Sequence, residues 1–261
     1  MATANETDLT LLSALAVHAV VEELVPRFSR EQGIRILINY DVNPAIAERV
    51  RAGEMFDVGL NNPWYVDEMV QQGRVYAGLH LPFGRIPLAI GQAGAATEVA
   101  TSHVSVRGIL SEADSIAYTD NGTSGKTFLR AIRMMGLEPQ ILDRLRPMGA
   151  GEPPIAAAQG RVQYAIAPLS RILAAPGVTP IATFPDDLDL NIDMSMFINI
   201  GSRRFDTARR LIAFLSDPSH DAYLLANGIS RFALKAPRAA SATENTSDPS
   251  HPERSQSRRL D

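Results

Sequence analysis

Residues 11–62 read LLSALAVHAVVEELVPRFSREQGIRILINYDVNPAIAERVRAGEMFDVGLNN, and this stretch decides the fold. A short apolar run comes first. Apolar residues then recur at helical spacing from Val17 to Phe28, which predicts a strand and an amphipathic helix that Gly33 ends. A strand, a helix and a third strand are predicted over residues 34–40, 46–50 and 57–60. The stretch is therefore a βαβαβ unit.

The ends of these three strands are candidate ligand-binding positions. In open α/β sheets, ligands lie beyond the carboxyl ends of the strands, where helix N-termini direct free N–H groups at an anion. The predicted ends are a turn at Ser13-Ala14, the segment 41–44 that contains Asn43, and the pair Asn61-Asn62. We therefore expect Ser13, Ala14, Asn43 and Asn61 to contact a small anion.

The composition excludes several classes of protein. The chain has 261 residues, of which 45% are apolar, so it can bury one large core or two medium ones. Its net charge of -4 and its lack of a basic block argue against a nucleic-acid partner. It has no cysteine, which excludes disulfides and thiolate chemistry. The histidines are scattered, and no HExxH or GxSxG motif is present, so we expect no metal and no cofactor.

The first twelve residues, MATANETDLTLL, lack the basic and apolar regions of a signal peptide. We therefore expect a cytoplasmic location, or a periplasmic one if the N-terminus is truncated. No run approaches the roughly 18 apolar residues of a membrane helix, so we expect no membrane insertion.

The second half of the chain repeats the alternation of strands and helices. Strands are predicted over 115–119, 163–167 and 178–184, and helices over 126–135, 140–145 and from Pro153 onward. A loop is predicted over 120–125. Residues 233–261 are rich in Ser, Pro and charge, which is typical of a disordered tail.

The loop and the helix after it contain DNGTSGKT, residues 120–127. A nucleotide-binding P-loop needs glycine at the first position, where Asp120 stands, so that function is disfavoured. Thr123, Ser124 and Gly125 instead offer hydroxyls and backbone N–H groups to an anion. The alternative is that Thr123 or Ser124 is only a helix N-cap.

Longer motifs give a resemblance to a known family. The segments NPAIAERVRAGEMFDV (43–58), WYVDEMVQQGRV (64–75), ATFPDDLDLNIDMSMFI (182–198) and DPSHDAYLLANGISRF (217–232) resemble the molybdate-binding group of type 2 periplasmic solute-binding proteins, including its aconitate-isomerase-like branch. The resemblance covers nearly all of residues 9–232. It implies an α/β fold of two lobes, each a mostly parallel sheet flanked by helices, with a cleft between them. Lobe I would comprise 1–83 plus 190–232, and lobe II 84–189.

The serine and threonine cage of the molybdate-binding relatives is largely missing here. Amides, and Arg85 near the predicted crossing between the lobes, suit an organic carboxylate better, because Arg binds carboxylates through paired hydrogen bonds. The alternative for Arg85 is a hinge residue in a surface ion pair.

Two residues are candidates for proton transfer. His18 lies in the first turn of a helix directed at the predicted cleft, where a neutral imidazole could act as a base. Glu152 precedes a helix in the opposite lobe and is the second candidate. The alternatives are a partly buried helix residue for His18 and a solvated loop residue for Glu152.

Three functions fit these observations. The resemblance includes aconitate isomerases, and the lack of an export signal and the altered cage favour a cofactor-free isomerase of an unsaturated carboxylate such as aconitate. His18 would be the base, and Arg85, Thr123 and Ser124 would hold the carboxylate. The alternative is the substrate-binding component of an ABC transporter for molybdate or another small anion, whose partner would be an ABC permease if the protein is exported. A third function is an intracellular sensor of the same anion.

Overall fold

The structure, a computed structural model, describes residues 9–96 and 98–234, and these form two lobes that are each built on a five-stranded sheet. The first lobe contains β1 Leu9–Ala14, α1 His18–Gln32, β2 Ile36–Asp41, α2 Asn43–Arg51, β3 Val58–Asn61, α3 Pro63–Gln71, β4 Leu81–Ile86, β10 Ile192–Ile198, α9 Phe205–Leu215 and α10 Asp221–Ala226. Its strand order is β2-β1-β3-β10-β4.

The second lobe is one continuous segment. It contains β5 Leu88–Ala93, α4 His103–Glu112, β6 Ile116–Thr119, α5 Thr123–Met134, α6 Glu138–Ile141, β7 Leu145–Met148, α7 Glu152–Ala158, β8 Tyr164–Pro168, α8 Leu169–Leu173 and β9 Val178–Thr183. Its strand order is β7-β6-β8-β5-β9. In each sheet, one strand lies between the third and the last strand of this order and runs antiparallel to both. It is β10 in the first sheet and β5 in the second, and each is the first strand after the chain crosses from the other lobe.

The predicted βαβαβ unit forms because its apolar residues fall on one side of each element. Val20, Leu24 and Phe28 of α1 are buried against the first sheet, and Gly33 ends the helix in the left-handed conformation with φ 64°. β1 pairs in parallel with both β2 and β3. The carboxyl ends of these three strands therefore lie side by side, as the pattern predicts.

Each sheet is mixed but mostly parallel, as predicted, because four of its five strands run in the same direction. In each sheet two strand pairings are parallel and two are antiparallel, because β10 and β5 run against their neighbours. The predicted α/β architecture of two lobes is confirmed. The predicted first lobe boundary, after residue 83, falls inside β4, which pairs with β10 as far as Ile86, and the chain then passes to the second sheet at Pro87. The tail predicted over 233–261 lies outside the described residues except for its first two.

Three local predictions are wrong. Ser13 and Ala14 end β1, and the turn is the short 3₁₀ helix Leu15–Val17 that follows. α5 begins at Thr123, within the loop predicted over 120–125. The helix predicted over 140–145 is a short helical segment that ends before Leu145, where strand β7 begins.

Within the part of the chain that the structure describes, no helix is both long and apolar enough to cross a membrane. The same residues contain no cluster of three His, Asp or Glu side chains that could hold a metal ion.

Candidate functional site

A cavity of about 50 Å³ lies between the two lobes. Its walls are the segments that follow strand ends in both lobes, so it is placed where ligands bind in α/β sheets. The lining residues that begin helices or the turn after β1 are Leu15, Ala16, Val42, Asn43, Gly122, Thr123, Ser124, Gly151, Pro154, Pro168 and Arg171.

Two of the helices around the cavity begin without a side-chain cap. Neither Val42, which precedes α2, nor Gly122, which precedes α5, has a side chain that accepts a hydrogen bond from the first turn. The first-turn N–H groups of a helix need partners and carry partial positive charge. Because both helix starts line the cavity, they favour an anionic occupant.

Of the residues 9–96 and 98–234, Arg171 on α8 is the one charged residue that lines the cavity, and no carboxylate from these ranges lines it. It is partly buried, and it forms no ion pair or hydrogen bond with the residues that the structure describes. Burial lowers the pKa of its guanidinium. The terminal nitrogen Nη2 would lie 3.3 Å from a Cβ placed on Gly151, so this glycine, with φ 79°, leaves room for it. A partly buried cation without a partner is a strong anion-binding element.

Three of the predicted ligand-binding residues line the cavity: Asn43, Thr123 and Ser124. The Asn43 side chain is buried, and its Oδ1 has no hydrogen-bond partner. A terminal amide can donate or accept according to its orientation, so this group is available to a ligand. The Thr123 hydroxyl donates to Asn62 Oδ1 at 2.7 Å and thereby joins the two lobes at the edge of the cavity.

Four predicted residues lie behind the cavity wall. Asn61 Nδ2 donates to the Asn43 carbonyl at 3.1 Å and so fixes the start of α2. Ser13 and Ala14 are fully buried in β1. Gly125 lets α5 approach β6, since a Cβ there would lie 1.8 Å from the Thr119 carbonyl oxygen.

The structure does not bring His18, Glu152 or Arg85 to the cavity. The His18 ring packs against Tyr40, with 4.5 Å between ring centroids. The Glu152 carboxylate is exposed and accepts a hydrogen bond from the Gly149 N–H at 2.9 Å.

Arg85 forms a two-bond ion pair with Asp193, whose oxygens accept from Nε and Nη2 at 2.7 Å each. This pair joins β4 to β10 beside the crossing between the lobes, and Asp193 raises the pKa of the guanidinium. The geometry is that of the hinge ion pair considered for Arg85 as an alternative.

A larger cleft of about 880 Å³ lies on the other side of the contact between Thr123 and Asn62. Thr123 lines both spaces. The walls of the cleft include Trp64 and Tyr65 from α3 and Lys126 from α5, so Lys126 does face the space between the lobes.

The cleft wall also contains an arrangement that resembles a Ser-His-Asp triad. His80 Nε2 lies 2.9 Å from Ser195 Oγ, and His80 Nδ1 lies 3.2 Å from Asp67 Oδ1. Ser195 is completely buried, so no substrate can reach its hydroxyl. Burial lowers the pKa of His80, and Asp67 partly opposes the effect. The three side chains therefore join α3 and β10 to His80, the residue directly before β4.

Sequence reasoning missed Arg171. The signal was present, because no acidic residue occurs between Glu152 and Asp186, and Arg171 therefore has no local ion-pair partner. It also follows the end of the strand predicted over 163–167, where ligand-binding residues collect in this fold class.

Comparisons with known proteins identify the family of the chain. The family model described as bacterial extracellular solute-binding protein matches residues 9–230. An aconitate isomerase from a Pseudomonas species is 24% identical over 217 residues, which cover 80% of this chain and 82% of that protein.

Solved structures show the same fold at lower identity. The periplasmic molybdate-binding protein of Azotobacter vinelandii has a TM-score of 0.72 at 16% identity, and the alignment covers 85% of this chain and 98% of that one. The sulfate-binding protein SubI of Mycobacterium tuberculosis has a TM-score of 0.68 at 15% identity, with 86% of each chain covered. The predicted resemblance to periplasmic binding proteins of the molybdate-binding type is confirmed.

Proposed function

The chain belongs to the bacterial extracellular solute-binding protein family, and from this premise we propose that it captures a small organic carboxylate in the cavity between its lobes. The observation that carries the proposal is Arg171, a partly buried cation that has no partner among the described residues, in a cavity that none of their carboxylates lines. A guanidinium binds a carboxylate through two parallel hydrogen bonds.

The other lining groups complete an anion site of modest size. Asn43 offers its amide, Thr123 and Ser124 offer hydroxyls, and the starts of α2 and α5 offer backbone N–H groups. The aconitate isomerase relative supports a carboxylate ligand, whereas the solved relatives named for molybdate and sulfate support an inorganic oxyanion. Both classes therefore belong in a ligand panel.

Isomerisation of an unsaturated carboxylate is the second candidate, favoured by the same isomerase relative. This reaction removes a proton α or γ to a carboxylate and returns one to another carbon, so it needs an acid-base group. Arg171 is the one ionisable side chain among the described residues that line the cavity, and it stays protonated near neutral pH. The base proposed at His18 and the second acid-base group proposed at Glu152 lie elsewhere, and for this reason we place binding before turnover.

In a transport role the loaded protein would deliver its ligand to an ABC permease. That role requires the periplasm, whereas the sensor and isomerase roles are compatible with the cytoplasmic location proposed from the sequence. Fractionation of cells that express the native gene, followed by immunodetection in both compartments, separates the two locations.

Thermal unfolding of the purified chain against a panel of anions tests the proposal. The panel holds molybdate, tungstate, sulfate, phosphate, citrate, and cis- and trans-aconitate. A ligand at a hundred times its Kd adds about 2.7 kcal/mol of stability, which shifts the midpoint visibly. A shift with a carboxylate that disappears in Arg171→Gln supports the proposal, and stabilisation by inorganic oxyanions alone overturns it. Following the ultraviolet absorbance of the aconitates over time then detects turnover.

A further inference from the structure

The large cleft beside the cavity is the part of the molecule that the proposed function leaves unused. We propose that it is the second half of the ligand site, in which Lys126 binds a second anionic group, so that the ligand is a dicarboxylate or tricarboxylate. This inference rests on the proposed function, in which Arg171 binds the first carboxylate.

The sizes of the two spaces point to a ligand that occupies both. The cavity of about 50 Å³ accommodates roughly three or four non-hydrogen atoms, about one carboxylate group. The cleft of about 880 Å³ has room for the rest of a molecule. Thr123 lines both spaces, so they adjoin, and in the proposal the ligand extends from the cavity past Thr123 into the cleft.

Among the described residues that line the cleft, the carboxylates are those of Asp67, Asp189 and Asp193, and ion pairs hold the first and the last of them. Asp67 pairs with His80 at 3.2 Å, and Asp193 pairs with Arg85 at 2.7 Å. Arg130 donates to a backbone carbonyl, that of Asp189, at 2.7 Å.

Lys126 differs from these groups. It has no hydrogen bond or ion pair with any residue that the structure describes. Its ammonium is therefore available to an anionic ligand.

Lys126 lies close to Thr123, the residue that lines both spaces. It follows Thr123 by three residues on α5, which places the two side chains on one face of the helix with about 5–6 Å between their Cβ atoms. The rings of Trp64 and Tyr65, 5.9 Å apart, provide apolar surface in the same cleft for the carbon atoms between the charges. The proposed ligand therefore carries its first carboxylate at Arg171 and a second one beyond Thr123, at Lys126.

Calorimetric titration of Lys126→Gln and Lys126→Arg with cis-aconitate and with crotonate, a monocarboxylate, tests the inference. Lys126 is exposed, so we expect the glutamine variant to bind cis-aconitate about three- to five-fold more weakly, and crotonate as the wild type does. The arginine variant, which keeps the positive charge, should bind cis-aconitate within two-fold of the wild type. If crotonate binds too weakly to measure, the comparison of glutamine with arginine decides.

The outcomes separate this inference from the proposed function. If Arg171→Gln abolishes binding of cis-aconitate but Lys126→Gln binds it like the wild type, the cleft is not part of the site and the proposed function stands. An equal loss for both carboxylates in Lys126→Gln also overturns the inference. If the wild type binds no carboxylate, the proposed function fails and the inference fails with it.

Chemical protection gives an independent result, because the chain contains two lysines, Lys126 and Lys235. Acetylation followed by mass spectrometry, which distinguishes the two lysines, should show that cis-aconitate slows modification of Lys126 several-fold. Equal acetylation of Lys126 with and without cis-aconitate, at a concentration that saturates the protein, would contradict the inference.

Discussion

Replacing Arg171 by glutamine should change ligand affinity and stability in different ways. A hydrogen bond to a charged group contributes about 1.5–3 kcal/mol, so losing the guanidinium should weaken carboxylate binding roughly 10- to 150-fold. The partly buried guanidinium has no partner within the described part of the chain, and its desolvation lowers its pKa. Neutral glutamine removes this penalty, and the free energy of unfolding should stay the same or rise by up to about 1 kcal/mol.

Calorimetric titration measures the affinity, and urea unfolding measures the stability. Arg161→Gln is the matched control, because Arg161 is exposed, lies in the same lobe and does not line the cavity. The control should bind like the wild type. If Arg171→Gln keeps the wild-type affinity and loses more than about 1 kcal/mol of stability, Arg171 supports the fold and the assignment of the anion site is refuted.

Three further predictions concern the framework around the site. Gly125→Ala should lose about 1–3 kcal/mol of stability in urea unfolding, because its Cβ would overlap backbone atoms. The control Gly108→Ala, inside α4, meets no atom within 4 Å and should be neutral or slightly stabilising. Similar losses in the two variants would contradict the packing argument. Arg85→Gln should cost about 1–2 kcal/mol of stability by leaving Asp193 unpaired. If a double-mutant cycle of Arg85 and Asp193 shows no coupling free energy, this ion pair does not stabilise the crossing between the lobes. Because burial lowers the pKa of His80 below its ordinary 6.5, the unfolded chain binds a proton that the folded chain excludes. The free energy of unfolding should therefore fall as the pH drops below about 6.5. If His80→Gln shows the same dependence of this free energy on pH as the wild type, the reasoning is refuted.

Elements with a long periodic pattern could be predicted from the sequence. The apolar face of α1 and the glycine that ends it depend on neighbouring residues alone, so the βαβαβ unit was predictable. Strand β7 could not be predicted from the sequence, because it is a four-residue edge strand that contains Pro147. Its pairing with β6 identifies it as a strand, and this pairing is visible only in the folded sheet.

The candidate site could be predicted only in part, because sequence patterns depend on neighbouring residues and do not contain contacts between distant ones. Asn43 and Thr123 follow predicted strands, where ligand-binding residues of α/β folds lie, although the predicted helix after Thr123 began three residues too late. The pairing of Arg85 with Asp193 joins residues 108 positions apart, and no local pattern contains it. The importance of Arg171 depends on the absence of a partner across the whole lobe interface, which emerges only when both lobes are assembled.

The position of β10 in the first sheet has a consequence for the order of folding. β10 lies between β3 and β4, yet it follows the complete second lobe in the chain. During synthesis the second lobe, which is continuous, can therefore form its whole sheet while the first still lacks its inner strand. Until Ile192–Ile198 leaves the ribosome, β3 and β4 have no shared partner and their edges stay open to wrong pairings. The late strand that completes the first lobe is thus expected to limit the rate of productive folding.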